Sequence, residues 1–162
     1  MATIISEQAA PVAAQRQGPL GQGPLAGKSV LIIEDEALIA MGFESCLQDA
    51  GAVVKIANSI ASAQSALEEG IPFDAAVVDL VVADGNASPL IEVLSERGIP
   101  VVITTGNEAD RGQPALSKAV AILQKPHADS DLVNTVARFG QLNPHTPDDA
   151  IICSVDAAIQ LT

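Results

Sequence analysis

The residues that could do chemistry in this chain stand directly after apolar runs. Glu34 and Asp35 follow Val30-Leu31-Ile32-Ile33, and Asp79 follows Ala75-Ala76-Val77-Val78. Thr104-Thr105-Gly106 closes the run that begins at Val101, and Lys125-Pro126 closes the run from Val120 to Gln124. Brought together, three carboxylates repel one another and call for a counter-cation. An all-oxygen donor set of that density suits Mg2+, which keeps several waters and takes few protein ligands. An Asp carboxylate is also a nucleophile toward phosphorus. A lysine ammonium can pair with a phosphoryl oxygen as a point charge, and a threonine hydroxyl can donate to another.

Such a cluster needs a scaffold that collects strand ends. The apolar runs are strand-sized, and Val53 to Ala57 adds one more, giving five. Helical spacing follows the first run at Leu38, Ile39, Phe43, Cys46, Leu47 and Ala50, with a stop at Gly51. Asn58 or Ser59 can cap a second helix that runs to Glu69 and stops at Gly70. Asp84-Gly85-Asn86 marks a turn, and Leu90, Ile91 and Leu94 a third helix ending at Gly98. Residues 107–119 form a weak helical pattern, interrupted by Gly112 and Pro114. The last helix carries Leu132, Val133, Val136 and Phe139 on one face. Five apolar strands alternating with five helices predict an α/β fold, a doubly wound five-stranded parallel sheet with helices on both faces. Ligands of such sheets bind beyond the carboxyl ends of the strands, where these polar residues lie.

Composition bounds the rest. The chain has 162 residues, enough for one domain with a core of its own. Aromatic residues make up 2%, so the core is built from Ala, Val, Ile and Leu, and stacking on single-stranded nucleic acid is disfavoured. A net charge of -12 repels phosphate backbones and anionic lipids, which predicts no direct nucleic-acid and no membrane partner. No apolar run is long enough to span a bilayer, and the N-terminus lacks the marks of a secretory signal, so a cytoplasmic protein is expected. Cys46 and Cys153 make neither a disulfide framework nor a zinc quartet, and Cys46 reads as a small core residue. Residues 1–27, rich in Gly and Pro with a repeated Gly-Pro-Leu unit, read as a largely disordered tail. Residues 28–140 read as the domain, and 141–162 as a C-terminal tail of unassigned structure.

With these motifs in place, the chain resembles the receiver domains of two-component response regulators, the CheY-like proteins of flavodoxin-like three-layer architecture. The resemblance covers about residues 28–140. It rests on Val30 through Glu36, on Val77-Val78-Asp79-Leu80, on Thr104-Thr105-Gly106 and on Gln124-Lys125-Pro126, in order and each at a strand end. It implies that Asp79 is the phosphoacceptor and that Glu34 and Asp35 hold Mg2+, with Asp35 the more direct ligand and the Val81 backbone carbonyl a further one. It implies Thr105 as the switch hydroxyl, Lys125 as the phosphate-pairing lysine, and a cis Lys125–Pro126 bond. Implied partners are a sensor histidine kinase or phosphotransfer protein and a downstream protein of unknown identity. The expected protein is a stand-alone response regulator in a phosphorelay, not a turnover enzyme. A segment after residue 140 so short and acidic is not expected to hold a helix-turn-helix effector.

The family often carries Tyr or Phe three residues before the lysine, where this chain has Ile122, read as a buried strand residue. That departure keeps open a phosphorylation-independent interaction module. A Mg2+-dependent phosphatase with an Asp nucleophile is a second alternative, but Glu34-Asp35-Glu36 does not match the Asp-x-Asp pattern of such enzymes. Glu36 reads as a solvated first-turn acid, Asp84 as a turn residue, and His127 and His145 as surface residues.

Overall fold

The computed structural model describes residues 22–106 and 113–140. Strands β1 (Ser29–Ile33), β2 (Val53–Ala57), β3 (Ala75–Asp79), β6 (Val101–Thr105) and β7 (Ala121–Gln124) form one parallel sheet. Their order is β2-β1-β3-β6-β7. Two further strands of two residues each, β4 (Val81–Val82) and β5 (Gly85–Asn86), pair antiparallel in a small hairpin. The α-helices are α1 (Ala37–Asp49), α2 (Ile60–Glu68), α3 (Ser88–Glu96) and α4 (Asp129–Phe139). Strand periodicity divides the core into two layers. Val30, Ile32, Ala75, Val77 and Val102 pack with Phe43 and Leu47 of α1 and Leu132 and Val136 of α4. Leu31, Ile33, Ala76, Val78 and Ile103 pack with Ala63 and Leu67 of α2 and Leu90, Ile91 and Leu94 of α3. The predicted doubly wound sheet is therefore present, with helices on both faces.

Local signals set most boundaries. Ser59 caps α2: its hydroxyl accepts the Ser62 amide, and the Ser62 side chain accepts the Ser59 amide in return. Four expectations are corrected. The helix expected over 107–119 is, among the described residues, a 3-10 turn at Pro114–Lys118, because Pro114 cannot continue an α-helix from upstream and instead starts the turn. Residues 107–112 of that expectation lie outside the described residues; among the described residues there are four α-helices and one 3-10 turn. Ile122 is 39% exposed, not buried, because β7 is an edge strand whose alternate residues face outward. Leu38, placed on the apolar face of α1, is 85% exposed, since only Ala40, Phe43 and Leu47 of that helix reach the core fully.

The fourth correction concerns the domain's start. Residues 22–27 form a turn packed on the domain, while residues 1–21 and 141–162 of the expected tails lie outside the described residues. Leu25 is fully buried in the α1–α4 layer, and its amide donates to the Ala50 carbonyl at 2.9 Å. Gly23 sits at φ 124°, and a Cβ there would collide with the Ala50 carbonyl oxygen. Gly51 opposite has φ 98°, and a Cβ there would come within 2.9 Å of the Gln22 carbonyl oxygen. These two glycines let the strap lie against the end of α1. Leu25→Ala is expected to cost about 2–4 kcal/mol of stability, read by urea denaturation, because it empties a fully buried site. A chain begun at Lys28 should lose a similar amount relative to one begun at Gln22.

Candidate functional site

Parallel pairing in register brings the ends of β1, β3, β6 and β7 to one edge. Ile33 pairs with Val78, Asp79 with Thr104, and Thr105 with Gln124. The residues that follow, or end, these strands converge. Carboxylate oxygens of Glu34, Asp35 and Asp79 all lie within 4.8 Å of one another. Lys125 closes the group: its Nζ donates to Glu34 Oε2 and to Asp79 Oδ2, each at 2.7 Å. The lysine is anchored by its own amide, which donates to the Thr105 carbonyl at 2.7 Å, and the Lys125–Pro126 bond is cis.

The carboxylates are not equivalent. Glu34 is 1% exposed, Asp79 half-buried and Asp35 exposed. Glu34 Oε1 accepts the Glu36 amide at 3.1 Å, so both its oxygens are satisfied. Burial pushes the Glu34 carboxyl above the ordinary value of 4.5. The Lys125 ammonium and the Glu36 amide oppose that rise, and the Asp79 charge adds to it. Burial pulls Lys125 down, but the hydrogen bonds it donates to Asp79 and Glu34 and their charges outweigh it, and the net shift is upward. Asp79 is held at both oxygens: Oδ2 by Lys125, and Oδ1 by the Val81 amide at 3.2 Å. With all groups ionised, three carboxylates face one ammonium, so the site holds excess negative charge that a divalent cation would offset. Its donors are all oxygen, and their spacing fits a hard cation.

Glu34, Asp35, Asp79 and Lys125 thus meet as the strand ends implied. Thr105 is 5% exposed at the end of β6, and its carbonyl holds the lysine's amide. Thr104 is fully buried, with its hydroxyl 3.5 Å from the Val78 carbonyl, a structural position. Val81 meets Asp79 through its amide. Cys46 is half-buried, donates to the Phe43 carbonyl at 3.3 Å, and has its thiol pushed up to about 11 by burial and the Asp129 charge, as befits an inert residue. His127 is not a plain surface residue. Its ring stacks on Phe43 at 5.4 Å between centroids, and its Nε2 is buried. Nothing local in the sequence signalled that stack, which the cis turn after Lys125 and helix α1 create between them.

The response regulator receiver domain family matches residues 30–137. This chain belongs to that family. It is 29% identical over 128 residues to the photosynthetic apparatus regulatory protein RegA of Cereibacter sphaeroides, covering 76% of this chain and 69% of RegA. It is 30% identical over 110 residues to the alginate biosynthesis transcriptional regulatory protein AlgB of Pseudomonas putida, covering 64% of this chain and 24% of AlgB. The receiver domain of a Pseudomonas aeruginosa sensor histidine kinase, solved with magnesium in its active-site cleft, superposes with a TM-score of 0.65 at 21% identity. That match covers 71% of this chain and 98% of that domain. Among the described residues, no helix is long and apolar enough to cross a membrane.

The raised Glu34 pKa carries a sign for pH dependence. A carboxyl whose folded value lies above its unfolded value contributes stability that is full below about 4.5 and is lost as pH rises through the folded value. The stability of wild type minus that of Glu34→Gln should therefore be greatest near pH 4 and decline toward pH 7, read by urea denaturation across that range in metal-free buffer.

Proposed function

We propose that this receiver domain accepts a phosphoryl group on Asp79 from a sensor histidine kinase or a phosphotransfer protein, with Mg2+, and passes the signal on by protein–protein contact. The observation that carries this reading is the Asp79 carboxylate, held from opposite oxygens by Lys125 and the Val81 amide, beside two further carboxylates. Glu34, Asp35 and Asp79 would hold the cation, with the Val81 carbonyl as a further ligand. Bound Mg2+ supplies charge neutralisation between the carboxylate and an incoming phosphoryl group.

In the transfer, an Asp79 oxygen attacks phosphorus, the Asp79–phosphorus bond forms, and the bond from phosphorus to the donor's imidazole nitrogen or acyl oxygen breaks. The donor leaves with the bonding pair. Lys125, already on Asp79, pairs with a phosphoryl oxygen, and Thr105 donates its hydroxyl to another. The protein is a stoichiometric acceptor that assists its own phosphorylation and dephosphorylation, not a turnover phosphatase. A second reading, a phosphorylation-independent interaction module, is favoured by one observation: the position of the family's switching aromatic holds Ile122, 39% exposed and without a ring to turn inward. Partner binding that survives Asp79→Ala unchanged would select it.

Intact mass after incubation with a small acyl phosphate and Mg2+ tests the first reading. Wild type should gain one hydroxylamine-labile phosphoryl adduct, and Asp79→Asn none; an unmodified wild type across several donors would overturn phosphoacceptance. Mg2+ should also raise the melting temperature of wild type by relieving carboxylate repulsion. Asp35→Asn should lose most of that gain, and an equal shift in the variant would sink the metal assignment.

A further inference from the structure

The loop after Asp79 is folded into the hairpin β4–β5, and that hairpin is clasped to the rest of the domain at two points. At its turn, the Asp84 carboxylate accepts the first two amides of α2, from Ile60 at 2.9 Å and Ala61 at 3.1 Å. These bonds lower the Asp84 pKa. Together with the Ser59 hydroxyl on the Ser62 amide, they satisfy successive amides at that helix end. At its far end, Asn86 accepts the Ser88 amide at 2.8 Å and donates to Gln113 Oε1 at 3.0 Å. Between these points Val81 pairs with Asn86 and Val82 with Gly85, the Leu80 carbonyl accepts the Ala87 amide at 2.9 Å, and the Leu80 and Val82 side chains are buried. The first residue of this hairpin is Val81, whose amide holds Asp79 Oδ1.

We propose that Asp84 is a positioning residue for Asp79: by fastening the hairpin to the start of α2, it keeps the Val81 backbone on the phosphoacceptor. The line of contact is continuous from the Ile60 and Ala61 amides through Asp84, the paired strands and the Val81 amide to Asp79. Asp84 does not touch the reacting atoms. Without its two bonds the turn at Gly85 loses its hold on α2, and the Val81 amide loses its fixed approach to Oδ1. The consequence for phosphoryl transfer and for Mg2+ rests on the function proposed above; the effect on the Val81 amide does not.

The test compares wild type with Asp84→Asn, which keeps the side chain's size and one acceptor, and Asp84→Ala. One readout is taken on metal-free protein, one at saturating Mg2+ and one on protein titrated with Mg2+ alone. Amide hydrogen exchange at Val81 should speed up roughly tenfold in Asp84→Ala and by less in Asp84→Asn. The rate of adduct formation with a small acyl phosphate, measured at saturating Mg2+, should fall with it. The Mg2+ dissociation constant should weaken, by roughly tenfold in Asp84→Ala, as for other residues that orient metal ligands. The chain has neither Trp nor Tyr, so calorimetry follows the titration. If exchange accelerates only at Ile60 and Ala61 while Val81 is unchanged, Asp84 is a cap of α2 alone and the proposal falls. If Val81 responds but wild type takes no phosphoryl group, the clasp stands and the phosphoacceptor reading fails.

Discussion

A carboxylate buried as completely as Glu34 requires a partner of opposite charge, and Lys125 is the partner it shares with Asp79. Removing one member of such a group leaves an uncompensated charge in the interior, at a cost of roughly 3–5 kcal/mol. The shared ammonium therefore constrains three strands at once. β1 must end beside β3, β3 must end level with β6, and β7 must deliver its lysine across β6. The strand order and the in-register pairing satisfy all three. In the proposed transfer the ammonium would also stand where an incoming phosphoryl group needs positive charge, so the contact that makes the folded carboxylates tolerable is the one that reaction would reuse.

The two core layers serve this edge differently. Phe43 and Leu47 of α1 tie the sheet to the strap at Leu25 and to the stacked His127, next to the turn that carries Lys125. On the opposite face, α2 and α3 receive the ends of the hairpin that carries Val81. Each half of the site is thus referred to a different helix layer, with Asp79 between them, one oxygen answering to each.

What could be read in advance followed from periodicity. Continuous apolar runs such as Val30 to Ile33 and Val101 to Ile103 mark strands covered on both faces, and the polar stretches that close them carry site residues, Glu34 and Asp35 after the first and Thr105 in the second. Leu25 was not legible because a single leucine among Gly and Pro has no period to report its burial. The hairpin was read only as a turn because strands of two residues fall below any pattern. Asp84 reached as far as its class, a turn acid, but its bonds to amides 23 and 24 positions earlier depend on how α2 lies over the sheet. Ile122 misled because an apolar residue in a strand is buried only if something covers that strand, and edge position is a property of sheet order.

The contrast between Glu34 and Asp35, adjacent in sequence and opposite in exposure, has a consequence for a cation at this edge. Glu34 shed its hydration when the chain folded and has both oxygens occupied by donors. Asp35 is exposed to solvent. A hard cation held at this edge would meet the exposed Asp35 in front of the buried Glu34, whose oxygens already accept two donors. Two acids adjacent in sequence thus differ in what they offer: one is open to solvent, and the other is already held by the domain's own donors.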